Sequence, residues 1–219
     1  MDKRDEKRCV IISGGDMENY EYHRKIINQA EIVICADAGG RHALNLGIIP
    51  DIVMGDMDTI SEEEIGRLKK EGVSLNRYSK EKDYTDTHLA LCKALELGYE
   101  HIDMVACLGG RFDHSLANVM LLALPQVRKM DIRILSPTQE IFLVKSDMKF
   151  KGQKGDTFSL LPLSENVAGI NFSGLYYQLS KGELEMGVPI GVSNLLLEEE
   201  VKIKVSKGLL LGIRTKSIG

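Results

Sequence analysis

Five short apolar runs recur along the first 137 residues, and four of them stop at glycine and aspartate. Residues 8–13 (RCVIIS) stop at Gly14-Gly15, residues 31–36 (EIVICA) at Asp37-Ala-Gly39-Gly40, and residues 51–54 (DIVM) at Gly55-Asp56. Residues 102–108 stop at Gly109-Gly110, and residues 132–136 at Pro137. These runs are β-branched and apolar on both faces, as parallel strands covered by helices must be. Helical spacing fills the gaps. Tyr22, Ile26, Ile27 and Ala30 share a face over 20–29, and Ser61 with Glu64 forms a capping box for a helix running to about Lys70. Thr85 or Asp86 caps a helix through Leu97, and Asp113 caps another that ends before Pro125. Alternating strands and helices predict an α/β fold with a doubly wound, mostly parallel sheet.

Beyond residue 147 the helical patterns stop. Short β runs replace them at 156–161, 167–172, 194–197, 200–205 and 208–213, and ten of the 21 glycines fall in these last 72 residues. This texture predicts a smaller all-β sandwich. The expected domains are therefore 1–147 and 148–219. A chain of 219 residues has room for both.

Composition narrows the partners. The net charge of -4 argues against nucleic acid, which is held by a basic face. A small anionic ligand remains compatible, through local cations or a metal. No run is long enough for a signal peptide or a membrane span, so the expected location is the cytoplasm. Cys9, Cys35, Cys92 and Cys107 show no C-x-x-C spacing and read as small buried hydrophobes in a reducing compartment.

In an open α/β sheet, ligands bind beyond the carboxyl ends of the strands. That is where Gly and Asp gather here, and all aspartates but Asp156 precede residue 148. Asp56 and Asp58, two apart, point to one side if the backbone is extended, which suits Mg²⁺ with substrate phosphates. Asp83 and Asp86 precede or open a helix, where capping and metal binding are both open to them. Lys80 and Lys82 lie beside them. Arg111, in Gly109-Gly110-Arg111-Phe112-Asp113-His114, can hold phosphate bidentately or pair with Asp113. Phosphate-loop, dinucleotide-fingerprint, nucleophile-elbow and zinc-helix motifs do not occur. Metal-assisted chemistry on a phosphorylated substrate remains. Asp56-Met-Asp58 alone would also suit a glycosyltransferase using a nucleotide sugar.

Six segments in order carry a resemblance. They are 36–40 (ADAGG), 50–59 (PDIVMGDMDT), 83–86 (DYTD), 109–114 (GGRFDH), 173–177 (SGLYY) and 191–194 (GVSN). On these the chain resembles the thiamine pyrophosphokinase family over essentially its whole length. The resemblance implies an ATP-binding α/β domain and a smaller thiamine-binding β domain. It implies a homodimer with active sites at the subunit interface. It further implies transfer of the terminal pyrophosphate of ATP to the thiamine hydroxyl, with Mg²⁺, giving thiamine diphosphate and AMP. Asp56, Asp58 and Asp86 then match the magnesium acids, and Arg111 is catalytic with them. Asp37, Gly40, Lys82, Asp83, Gly110 and Asp113 match the nucleotide and phosphate path, while Tyr177, Ser193 and Asn194 match the approach to thiamine. The chain departs from the family in Met57-Asp58-Thr59, where Phe-Asp-Ser is common, and in having no tryptophan near Tyr177.

Overall fold

The computed structural model describes residues 7–81, 83–179 and 182–217. The chain divides into two compact units. The first takes the residues up to Leu121 together with Met130–Pro137, and the second takes Leu122–Lys129 and everything from Thr138.

The first unit alternates strand and helix: β1 (Arg8–Ile12), α1 (Tyr20–Ile27), β2 (Ile32–Ala36), α2 (Gly39–Leu46), β3 (Ile52–Gly55), α3 (Glu62–Lys70), β4 (Ser74–Arg77), α4 (Asp86–Glu96), β5 (His101–Val105), α5 (Phe112–Leu121) and β6 (Asp131–Leu135). The strands order as β6-β5-β1-β2-β3-β4, every pair parallel. Their two faces pack on different helices, as double winding requires. Val10, Ile12, Val33, Cys35 and Val53 join Ile27, Leu44 and Leu68 of α1, α2 and α3 in one core. Ile11, Ile34 and Met54 alternate with these along the strands, and α4 packs against β1, β2 and β3. Full burial of each such side chain contributes roughly 1.5–3 kcal/mol.

Local chemistry sets the helix starts. The Ser61 hydroxyl accepts from Glu64 N at 3.2 Å, and the Glu64 carboxylate accepts from Ser61 N at 2.7 Å, completing the expected capping box. Thr85 caps α4, its hydroxyl accepting from His88 N at 3.2 Å. Asp86 is therefore the first helical residue and not the cap. Asp113 does not cap α5 either, because the helix starts one residue before it. The expected helix over 20–29 ends at Ile27.

The second unit is a β sandwich. Its elements are β7 (Gln139–Val144), β8 (Asp147–Lys151), β9 (Thr157–Pro162), β10 (Asn166–Ala168), β11 (Asn171–Ser173), β12 (Glu183–Glu185), β13 (Asn194–Leu195), β14 (Glu200–Lys204) and β15 (Leu210–Thr215). Antiparallel β13-β9-β15-β7 and β11-β14-β8 enclose Phe142, Phe150, Phe158, Leu160, Val201 and Ile203, and β10 pairs with β12. The unit thus takes in β7, which the expected boundary at 147 left with the first half. Pairing along all six residues of β15 ties β7 to the sandwich. The run expected over 167–172 is two strands, broken at Gly169, whose φ is 68°.

Asp156 is 1% exposed. It accepts from Gln153 N at 2.9 Å, Ser217 N at 2.8 Å and Arg214 Nε at 2.6 Å. Burial pushes its carboxyl up, but the Ser217 and Gln153 amides and Arg214 outweigh this and hold it below the usual carboxylate range. Its stabilisation is therefore present above the unfolded pKa of about 3.9 and lost as pH falls through the folded value. Asp156→Ala leaves Arg214 short of a buried partner and is expected to cost about 3 kcal/mol. The check is a lower urea midpoint at unchanged slope; an unshifted midpoint would remove the assigned role.

Cys9, Cys35 and Cys107 are buried free thiols, while Cys92 is exposed on α4, contrary to its expected burial. Among the described residues no helix is long and apolar enough to cross a membrane.

Candidate active site

The strand order creates the site. From β1 the chain steps outward to β4, then returns through α4 to β5 on the other side of β1. The connections leaving β1 and β5 diverge, and a crevice opens at their carboxyl ends, as this topology requires. It holds a cleft of about 610 Å³. The loops after β1, β2 and β5 line it, with Thr59 and the first turns of α4 and α5.

Three carboxylates meet at its edge. Asp37, Asp56 and Asp58 each place an oxygen within 4.8 Å of the others. An extended Asp56–Asp58 segment is not what brings them together. Asp56 Oδ1 accepts from Asp58 N at 3.0 Å, and buried Met57 between them has φ 62°. Asp37 also lies in the left-handed region, at φ 45°, and Ala106 after β5 at φ 52°. Such strain in non-glycine residues gathers where a ligand site fixes the backbone. Gly55 makes the approach of Asp86 possible. At φ 148°, a backbone conformation that strains other residues, a Cβ would stand 3.1 Å from Asp37 Cβ and 3.2 Å from Asp86 Oδ1 and would press both aside.

Burial pushes the Asp37 carboxyl up, and the charges of Asp86 and Asp56 add to this, while nearby Thr59 and the Ala38 amide oppose it. Its Oδ1 is buried with no hydrogen-bond partner among the described residues. Asp58 is bonded to the Lys80 ammonium, which holds its carboxyl below the usual range. Several hard oxygens in one place, one of them buried without a donor, fit a small hard dication with substrate oxygens completing its shell.

The remaining expected residues fall into groups. Gly110 lines the cleft in open space. Arg111 also lines it, but its guanidinium is engaged bidentately with Asp113, Nε to Oδ1 at 3.2 Å and an Nη to Oδ2 at 2.5 Å. That bond holds Asp113 low and Arg111 high. Asp83 is exposed in the turn before α4 and does not join the acids. Gly40 is buried on α2, where a Cβ would stand 2.9 Å from Ile60 and 3.4 Å from Val53; it serves helix packing and not the cleft. Lys82 lies outside the described residues.

In the second unit, Asn194 accepts from Tyr177 N at 2.8 Å and donates to Tyr177 O at 2.7 Å. Ser193, at φ 58°, donates its amide to the Ser159 hydroxyl at 3.1 Å. Tyr177 is exposed and packs edge-on to Tyr176. Tyr177 and Asn194 line a small crevice of about 80 Å³ with Leu160, Phe172 and Ile190.

Sequence reading missed the residues that brace the cleft. The Ser13 and Thr87 hydroxyls bond at 3.0 Å, Asn118 Nδ2 donates to Cys107 O at 2.8 Å, and the Ser115 hydroxyl accepts from Gly109 N at 3.0 Å. Their only signal was a polar residue beside a motif, at a position the apolar pattern would fill.

Comparison with known proteins then decides the family. Residues 23–135 match the family described as thiamin pyrophosphokinase, catalytic domain, and residues 143–210 match thiamin pyrophosphokinase, vitamin B1 binding domain. The chain belongs to the thiamin pyrophosphokinase family. Thiamine pyrophosphokinase of Bacillus subtilis (strain 168) is 30% identical over 212 residues, covering 95% of this chain and 99% of that protein. Thiamine pyrophosphokinase 2 of Oryza sativa subsp. japonica is 26% identical, covering 89% and 82%. The crystal structure of the Bacillus subtilis protein superposes with a TM-score of 0.85 at 27% identity, covering 97% of this chain and all of that one. That of Candida albicans thiamin pyrophosphokinase gives 0.81 at 20% identity, covering 97% and 90%, a likeness of fold. The two matched stretches of this thiamin pyrophosphokinase family member contain, respectively, the acid cluster with Arg111 and the Tyr177–Asn194 crevice.

Proposed function

We propose that this chain transfers the terminal pyrophosphate of ATP to the hydroxyl of thiamine, giving thiamine diphosphate and AMP. The observation that carries the reading is the Asp37, Asp56 and Asp58 cluster beside a switch-point cleft in a chain of this family. Asp56, Asp58 and Asp86 would hold Mg²⁺, and Asp37 joins them on the geometry. When bound, Mg²⁺ neutralises and orients phosphate oxygens.

The chain's own groups do the remainder. The Gly14-Gly15 and Gly109-Gly110 turns, lacking side chains, let phosphate come close to the backbone. Arg111 exchanges Asp113 for a phosphate oxygen and opposes the charge that gathers during transfer. Asp86 and Asp113 are the two carboxylates proposed to accept the hydroxyl proton. Tyr177, Ser193 and Asn194 are proposed to receive thiamine, whose thiazolium charge the acidic edge attracts. AMP release that needs both thiamine and Mg²⁺ tests the reading; release of ADP alone would defeat it.

The thiamine site is proposed to lie between two copies of the chain. Eight large apolar side chains from Tyr176 to Leu197 are exposed, more than an isolated surface usually shows over so short a stretch. A solution mass of twice the 24.4 kDa chain is expected by light scattering, and a monomer at micromolar concentration would contradict it. The free cysteines support a cytoplasmic location, where thiols stay reduced.

A further inference from the structure

We propose that His42 is a positioning residue of the nucleotide loop, holding the Gly15 carbonyl and thereby the peptide plane that borders the cleft. The proposal rests on the use of ATP proposed above. His42 stands on α2, half-buried, with Nε2 2.9 Å from Gly15 O. A carbonyl oxygen only accepts, so Nε2 carries the proton. Nδ1 is buried with no partner among the described residues.

A buried, unsatisfied nitrogen costs free energy, and an aliphatic side chain would avoid that cost at this place. What the imidazole gains in return is the bond to Gly15. The consequence follows from peptide geometry. In the trans Gly15–Asp16 peptide, the carbonyl and the amide point in opposite directions. The carbonyl meets His42, while Asp16 N donates to Leu108 O at 2.8 Å. One peptide plane is thus clamped between α2 and the loop after β5. Gly15 N donates to Ala106 O at 2.7 Å on that same side. The two loops run as close as backbones can, since a Cβ on Gly15 would stand 2.5 Å from Leu108 O and 2.6 Å from Ala106 O. Contact restrains the plane from the β5 side, and His42 restrains it from the other. Asp16 N is engaged by Leu108 O, so the plane does not itself donate to phosphate; it fixes the wall of the cleft, and a wall set before binding leaves the nucleotide no loop to order.

The test compares wild type, His42→Leu and His42→Gln. Glutamine keeps an N–H donor at the reach of Nε2. His42→Leu is expected to raise the KM for ATP about tenfold, the order of one lost hydrogen bond. The KM for thiamine should stay unchanged, and His42→Gln should restore most of the loss. An unchanged KM for ATP in His42→Leu, beside an active wild type, would overturn the proposal. So would equal impairment of His42→Gln, or a loss confined to kcat and thermal midpoint, which marks a merely structural histidine. Should His42→Leu not fold, His42→Asn replaces it; its donor falls short of Gly15, so a KM for ATP equal to that of wild type would overturn the proposal. A wild type that binds no ATP would sink the activity first, and this proposal with it.

Discussion

Asp56→Asn is expected to lower kcat by about a hundredfold to a thousandfold while leaving the fold intact. The size is that of losing one pre-placed electrostatic group from a site that must hold phosphate charge. Retention of the fold follows from the turn geometry. Asp56 Oδ1 accepts from Asp58 N at 3.0 Å, and asparagine keeps that acceptor oxygen. The substitution also removes one of three carboxylates lying within 4.8 Å of one another, so the metal-free protein should melt no lower than wild type. Steady-state kinetics and a thermal melt check both halves. Near-normal turnover would remove Asp56 from the metal site. A lower melting point would mean that its negative charge had been stabilising the turn, in conflict with the repulsion described.

Chelation is expected to have the largest effect of all. With EDTA in excess, turnover should fall below detection, and added Mg²⁺ should restore it. Without a cation the acids face the phosphates of ATP, and like charges in a cleft repel. Lys80, bonded to Asp58 and also facing Asp56 and Asp37, brings one positive charge against three carboxylates, and Arg111 is engaged with Asp113. The same linkage predicts that Mg²⁺ alone raises the melting temperature, because it binds the folded acid cluster and not the unfolded chain. An EDTA-treated protein that turns over at the original rate would refute the assignment of the acids. Unaltered melting across a Mg²⁺ titration would mean that the metal enters only with nucleotide, and that the three acids do not form a site by themselves.

Much of the first unit was legible because its central strands are β-branched and apolar on both faces, and no other environment suits such runs. β4 was not legible. Ser74-Leu-Asn-Arg77 lies at the sheet edge, half-buried to exposed, and carries no apolar pattern. α2 was hidden by its own first residues. Gly39 and Gly40 read as loop glycines, yet they open a helix, and they are glycine because side chains there would strike the Ile12 carbonyl and crowd Ile60. In the second unit β12, Glu183–Glu185, is three residues with one buried side chain and gave no usable signal.

The candidate site divides the same way. Aspartates at strand ends pointed to the edge where the acid cluster and the cleft lie, and the resemblance supplied their proposed roles. The geometry that unites them was out of reach. A left-handed Met57 has no propensity signature, since its conformation is imposed by the Asp56 turn and its own burial. The choice of Thr85 over Asp86 as cap decided which side chain opens the helix and which begins its first turn. Arg111 and Asp113 were open to two readings, and their bidentate pairing is the one observed.

The most direct measurement is the identity of the products. Purified protein is incubated with ATP, Mg²⁺ and thiamine, and nucleotides and thiamine esters are separated and quantified. AMP and thiamine diphosphate in equal amounts, with neither formed when thiamine or Mg²⁺ is omitted, is the expected result. ADP with thiamine monophosphate, or AMP formed without thiamine, would contradict the account.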